Sequence, residues 1–121
     1  MVRYIPRQGD IVEVNFNPTK GHEQQGFRPA VVVSGANYHG FSADIAMVCP
    51  ITSKDRGFPL HPQLDGRTET TGVIMTDQVK ALDLAQRNVK FVERLPLDIL
   101  EEVCDIVSGF SKMDIHEKPE R

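Results

Sequence analysis

Arg28 stands directly before Pro29 and an apolar, β-branched run, Ala30 to Ser34. A guanidinium held at the start of a buried strand has a fixed position, and its planar fork matches two phosphate oxygens. The polar segment ahead of it, residues 17–28, also carries Lys20, His22, Glu23, Gln24 and Gln25. Thr52 and Ser53 close a second apolar run just before another polar loop, residues 53–59. Hydroxyls placed there can hydrogen-bond a phosphate. Asp77 and Gln78 end or interrupt a third run. Each group also has a plain structural alternative. Arg28 can pair with Glu23, Thr52 and Ser53 can cap a turn, and Asp77 and Gln78 can face solvent or a turn. No single residue among them decides the chemistry.

Other chemistries lack their parts. His22, His39, His61 and His116 are scattered, with no Cys-x-x-Cys or His-x-x-x-His pair, so no metal site is expected and each histidine reads as a lone surface residue. There is no Gly-x-Ser-x-Gly elbow and no Gly-rich loop ending in Lys-Ser, which removes support for serine hydrolases and nucleotide triphosphatases. The net charge is −3, which counts against a nucleic-acid partner unless the cations gather in one groove. Candidates for such a groove are Lys20, Arg28, Lys54, Arg56, Lys80 and Arg87.

These residues need a scaffold, and the chain has enough for one domain: 121 residues, 40% of them hydrophobic. Ile11, Val12, Val14 and Phe16 follow Gly9-Asp10 and predict a half-buried strand. Ala30–Ser34 predicts a buried strand, and so does the stretch from Ile45 through Thr52. Leu60–Leu64 reads as a weak strand interrupted by Pro62. A further strand begins at Gly72–Met75, and Asp77–Leu82 continues it or forms its end. Short strands with turn signals between them predict a small, strongly curved antiparallel sheet or barrel. The period then changes. Ile99, Leu100, Val103, Ile106, Val107 and Phe110 fall on one helical face, with Pro96 in the first turn and Gly109 near the end. Residues 1–111 form the expected domain, and residues 112–121 an expected flexible charged tail. Cys49 and Cys104 read as buried free thiols, no apolar run is long enough to cross a bilayer, and the N-terminus lacks a signal-peptide core. A cytoplasmic location is the expectation.

Three blocks together carry a resemblance. G-D-I-V-E-V-N-F-N-P-T-K-G-H-E-Q-Q-G-F-R-P-A-V-V-V-S (9–34), V-C-P-I-T-S (48–53) and G-V-I-M-T-D-Q-V-K-A-L-D (72–83) closely resemble the MazF/PemK/ChpB toxins of type II toxin–antitoxin systems. The likeness extends over roughly residues 4–110. It implies a mainly β fold with appended helices (α+β): a small SH3-like antiparallel β-barrel with a C-terminal α-helix, forming a homodimer. It also implies sequence-specific, ribosome-independent cleavage of single-stranded RNA, without metal or other cofactor. A MazE-like antitoxin would cover the RNA groove with a flexible acidic tail, and DNA would be a partner only through the antitoxin complex.

Carried over by position, Arg28 matches the family's catalytic arginine, Thr52 its catalytic threonine and Glu23 the acidic residue of the signature loop. Phe16, Pro18, Lys20, His22, Gln24, Ser53, Lys54, Asp77, Gln78 and Lys80 match positions that line or border the RNA groove. Some relatives carry His before the Arg-Pro pair, whereas this chain has Phe27, so a histidine acid is lacking there. The implied chemistry is attack by the ribose 2′-hydroxyl on the adjacent phosphate, giving a 2′,3′-cyclic phosphate or 3′-phosphate and a 5′-hydroxyl. The gyrase-poisoning toxins share the expected barrel but act through a C-terminal helix. That class gives the polar G-H-E-Q-Q-G-F-R-P loop no role.

Overall fold

The structure, a computed structural model, describes residues 4–16, 26–39 and 44–114. Six strands and two helices follow in order: β1 (Asp10–Asn15), β2 (Phe27–Val32), the single-turn α1 (Ala36–His39), β3 (Ile45–Thr52), β4 (Val73–Ile74), β5 (Lys80–Asp83), β6 (Lys90–Arg94) and α2 (Leu97–Gly109). Two 3₁₀ turns, Thr76–Gln78 and Leu84–Gln86, flank β5. All strand pairs are antiparallel, in the order β4-β3-β2-β1-β6. The edge of β3 away from β2 is shared. Residues Ile45–Val48 pair with β5, and Ile51–Thr52 pair with β4. The 3₁₀ turn at Thr76–Gln78 is thus the break between two short strands laid along one edge.

Alternation divides the apolar residues between two clusters, as the pleat requires. Ile11, Val31, Val33, Cys49, Ile51 and Ile74 face one side, where Ile99, Leu100 and Val103 of α2 cover them. Val12, Val14, Phe16, Ala30, Val32, Ala46 and Val48 face the other and meet Leu82 and Leu84. In a flat sheet β1 and β5 would lie about 14 Å apart, three inter-strand spacings. Yet Phe16 and Leu82 share a cluster, and the Lys80 Nζ sits 5.6 Å from the Phe16 ring centroid. The sheet therefore curls until its inner face packs on itself. The pairing path nonetheless ends at β4 and β6 without joining them, so the expected barrel is a curled open sheet.

The N-terminal segment is fastened by a buried charge. Asp10 is almost fully buried and accepts hydrogen bonds from the Tyr4 hydroxyl, the Arg7 amide (2.9 Å) and Arg94 (2.7 Å). Burial and that bond to Asp10 push the Tyr4 phenol well above its ordinary range.

Two segments and one cysteine differ from expectation. Leu60–Leu64 makes only one bridge, Gln63 to Val73, because Pro62 lacks an amide to donate. Lys90–Arg94, which shows no apolar alternation, is a full strand on β1. It is an edge strand, and Phe91 and Val92 are both exposed. Cys49 is buried as expected, but Cys104 is only partly so; both are free. Of the expected tail, Lys112–Asp114 are exposed and residues 115–121 lie outside the described residues.

Candidate active site

Antiparallel neighbours bring unlike ends together. The end of β1, the start of β2, the end of β3 and the start of β5 all fall at one end of the sheet. Parity then decides which side chains share a face there. Val14 and Arg28 are partners across β1 and β2. Between β2 and β3 the last pair is Ala30 with Pro50, and carrying this register on by two residues sets Arg28 level with Thr52. Lys80 is opposite Val48. Arg28 and Thr52 therefore continue the inner face beyond its last core residues, of which Phe16 is one, and Lys80 lies on the same face opposite Val48.

Their surroundings differ. Phe16 is 1% exposed, so it supports the site from below, with Lys80 over its ring. Arg28 is exposed and Thr52 half-buried. The Thr52 Oγ1 accepts a bond of 3.1 Å from the Lys54 amide, which turns the chain into the 53–59 loop and leaves the hydroxyl proton for a ligand. Ser53 and Lys54 are exposed on that loop. Gly72 lets β4 reach Thr52. Its φ is +120°, and a Cβ there would lie 2.2 Å from the Thr52 carbonyl oxygen. Across the site the Phe16 amide donates to the Gly26 carbonyl at 2.9 Å, so the segment between them leaves and returns at this same end. Pro18, Lys20, His22, Glu23 and Gln24 belong to that segment and lie outside the described residues.

Asp77 and Gln78 sit in the 3₁₀ turn on the β3 edge. The Met75 amide bonds the Pro50 carbonyl (2.8 Å), and the Thr76 hydroxyl bonds the Leu60 carbonyl (2.6 Å). Asp77 Oδ1 lies 2.6 Å from His61 Nε2. His61 is thus not the lone surface histidine that the sequence suggested; its ring is 8% exposed. Behind the turn, burial, aided by Cys104 and the Asp77 charge, pushes the Cys49 thiol up to about 12, which makes it unreactive.

Sequence reasoning missed His61 as a neighbour of Asp77, and it named Arg87 only as one cation among six. The Arg87 guanidinium donates to the Asn15 carbonyl at 3.3 Å, at the same end of the sheet. Only the antiparallel topology could have revealed this. On the opposite face, α2 holds Asp98, Glu101, Glu102 and Asp105 and no Lys or Arg. Cations gather at one end of the inner face, while carboxylates line the helix on the other.

Arg28, Lys80 and the Thr52 hydroxyl at this open end have the chemistry to hold a phosphodiester. Residues 7–110 match the model of the PemK-like, MazF-like toxins of type II toxin-antitoxin systems, and the chain belongs to that family. Over 80 residues it is 42% identical to the endoribonuclease toxin MazF of Escherichia coli K12, spanning 66% of this chain and 70% of the relative. The crystal structure of MazF from Deinococcus radiodurans (form I) superposes with a TM-score of 0.82 at 35% identity, covering 89% of this chain and 97% of that one. A MazE–MazF structure from the same organism (form II) gives a TM-score of 0.77 at 30% identity, covering 93% and 100%. Among the described residues no helix is long and apolar enough to cross a membrane.

Proposed function

We propose that this toxin endoribonuclease cleaves single-stranded RNA at specific sequences, independently of ribosomes and of metal, with Arg28 and Thr52 as its reacting centre. The observation that supports the reading is the pairing of Ala30 with Pro50, whose register, carried on by two residues, sets an exposed Arg28 level with a half-buried Thr52 on one face. The nucleophile is the substrate's own 2′-hydroxyl, so the protein needs only a base, an acid and charge stabilisation. Arg28 stabilises the phosphorane dianion through its fork and gives the leaving 5′-oxygen its proton, which Arg28 regains from solvent. The Thr52 hydroxyl donates to a phosphate oxygen and orients it. Glu23 takes the 2′-hydroxyl proton. Phe16, Pro18, Lys20, His22, Gln24, Ser53, Lys54, Asp77, Gln78 and Lys80 line or border the groove that holds the flanking nucleotides. The protein acts in the cytoplasm as a homodimer, and cleavage of messages arrests growth.

A cognate MazE-like antitoxin restrains it, placing an acidic, flexible segment where RNA places phosphates. Such a segment must be ordered on binding, so a long contact surface is needed for tight association. The cationic end of the inner face supplies the attraction. DNA is a partner only through the antitoxin complex. The experiment is cleavage of RNA by the purified chain in excess EDTA, with the new ends sequenced. The expected products carry 5′-hydroxyls at a recurring sequence. Activity lost in EDTA and restored by Mg²⁺ contradicts the reading.

A further inference from the structure

His61 stands outside every block that carried the family likeness, yet it is the residue that holds Asp77. An ionised carboxylate only accepts, so His61 Nε2 carries the proton in the 2.6 Å contact. The ring also packs against Phe58, whose centroid is 5.0 Å away. The backbone around it is also tied down, with the Ile74 amide bonded to the Pro62 carbonyl at 2.9 Å and Thr76 to Leu60 at 2.6 Å. Burial is unequal across the pair: the His61 side chain is 8% exposed and that of Asp77 is 56%. Asp77 is therefore fixed through one oxygen, while most of its side chain stays accessible. Next to it, Gln78 Oε1 is buried and has no hydrogen-bond partner among the described residues. The turn thus offers one accessible acceptor, the Asp77 carboxylate, on the β3 edge where the Met75 amide bonds the Pro50 carbonyl.

We propose that His61 is a positioning residue for sequence reading, and that the Asp77 carboxylate it aims accepts from the exocyclic amino group of one nucleobase. A carboxylate suits adenine, cytosine or guanine, which carry such amino groups, over uracil, which has none; carboxylates read cytosine amino groups in the same way. A mobile Asp77 would discriminate poorly, because ordering it would cost rotamer freedom at each encounter. This inference rests on the RNA-cleavage reading above.

The test uses the full-length protein and short RNAs spanning its mapped cleavage site. Each base in turn is replaced by its analogue lacking the amino group: inosine for guanosine, purine riboside for adenosine, pyrimidinone riboside for cytidine. In the wild type, the loss of one amino group should lower kcat/KM about tenfold or more. That ratio should fall to within about twofold of unity in Asp77→Ala and in His61→Ala. His61→Gln, whose amide nitrogen can still donate, should keep most of the ratio. A His61→Ala protein that slows on every RNA alike and keeps the wild-type ratio overturns the inference, since His61 then only supports the fold. So does a wild-type enzyme indifferent to every amino deletion. A wild type that cleaves no RNA refutes the functional reading itself, and this inference with it.

Discussion

Ile11, Val31, Cys49, Ile51 and Ile74 point to the face that α2 covers, while Val12, Val14, Ala30, Val32 and Val48 point to the face on which the sheet curls. The first face is closed by a separate element, and a helix with acidic residues outside and Ile99, Leu100 and Val103 inside seals it. The second is closed only by curvature. Curvature runs out where the strands end, and there the same parity that buries the valines and Phe16 next presents Arg28 and Thr52, with Lys80 over the Phe16 ring. The site is therefore the core register continued past the core. This places functional side chains on rigid strands whose positions the packing beneath them sets.

Phe16 should behave as the last residue of the core. Phe16→Ala is expected to destabilise the fold by about 3–5 kcal/mol, the usual cost of a buried aromatic truncation. Urea denaturation measures it, and a loss under about 1 kcal/mol would mean that the inner cluster stops short of the site. Gly72→Ala comes next. A side chain at φ +120° and 2.2 Å from the Thr52 carbonyl forces β4 off β3. Backbone strain alone costs about 1–3 kcal/mol, and cleavage should fall with stability because Thr52 loses its strand partner.

The helix-covered face responds to pH instead. Hydrogen bonds from Arg67 hold the Asp65 and Asp98 carboxyls below their ordinary range. Their folded pKa values are depressed, so this contribution is present above the unfolded carboxylate pKa and is lost as pH falls through the folded values. All three groups are exposed, so the effect is small. The stability difference between wild type and Arg67→Ala should be measurable at pH 7 and disappear under strong acid. A difference that grows on acidification contradicts the assignment. The smallest effect is chemical. A thiol reagent at pH 8 should modify the partly buried Cys104 slowly and spare Cys49, whose thiol burial pushes up to about 12, until the protein unfolds. Mass spectrometry of the labelled native protein reads this directly.

Much of this was legible in the residues. Alternation in Ile11–Phe16, the β-branched run Ala30–Ser34 and the helical spacing from Ile99 are strong because each buries a face. Lys90–Arg94 was not legible, since an edge strand is held by its ladder to β1 and by Glu93 and Arg94, not by apolar side chains. Its Glu93 accepts from the Thr70 amide (2.8 Å) and hydroxyl (2.7 Å), and Arg94 reaches Asp10. The family likeness named Arg28, Thr52 and Asp77, but it could not show that Arg28 and Thr52 share a register. His61 was read as a surface histidine because its partner lies 16 residues away, across a turn that no local pattern encodes.

The central claim is that Arg28 and Thr52 act as a catalytic pair that contributes nothing essential to folding. The direct measurement is single-turnover cleavage of one defined RNA by Arg28→Ala and Thr52→Ala, alongside their urea midpoints. Removing one donor to a developing oxyanion typically costs a hundred- to a thousandfold in rate. Each variant should therefore cleave at least about a hundredfold more slowly than wild type, roughly 2.7 kcal/mol in barrier height, with an unchanged midpoint. A folded Arg28→Ala protein that cleaves within about tenfold of wild type contradicts the account.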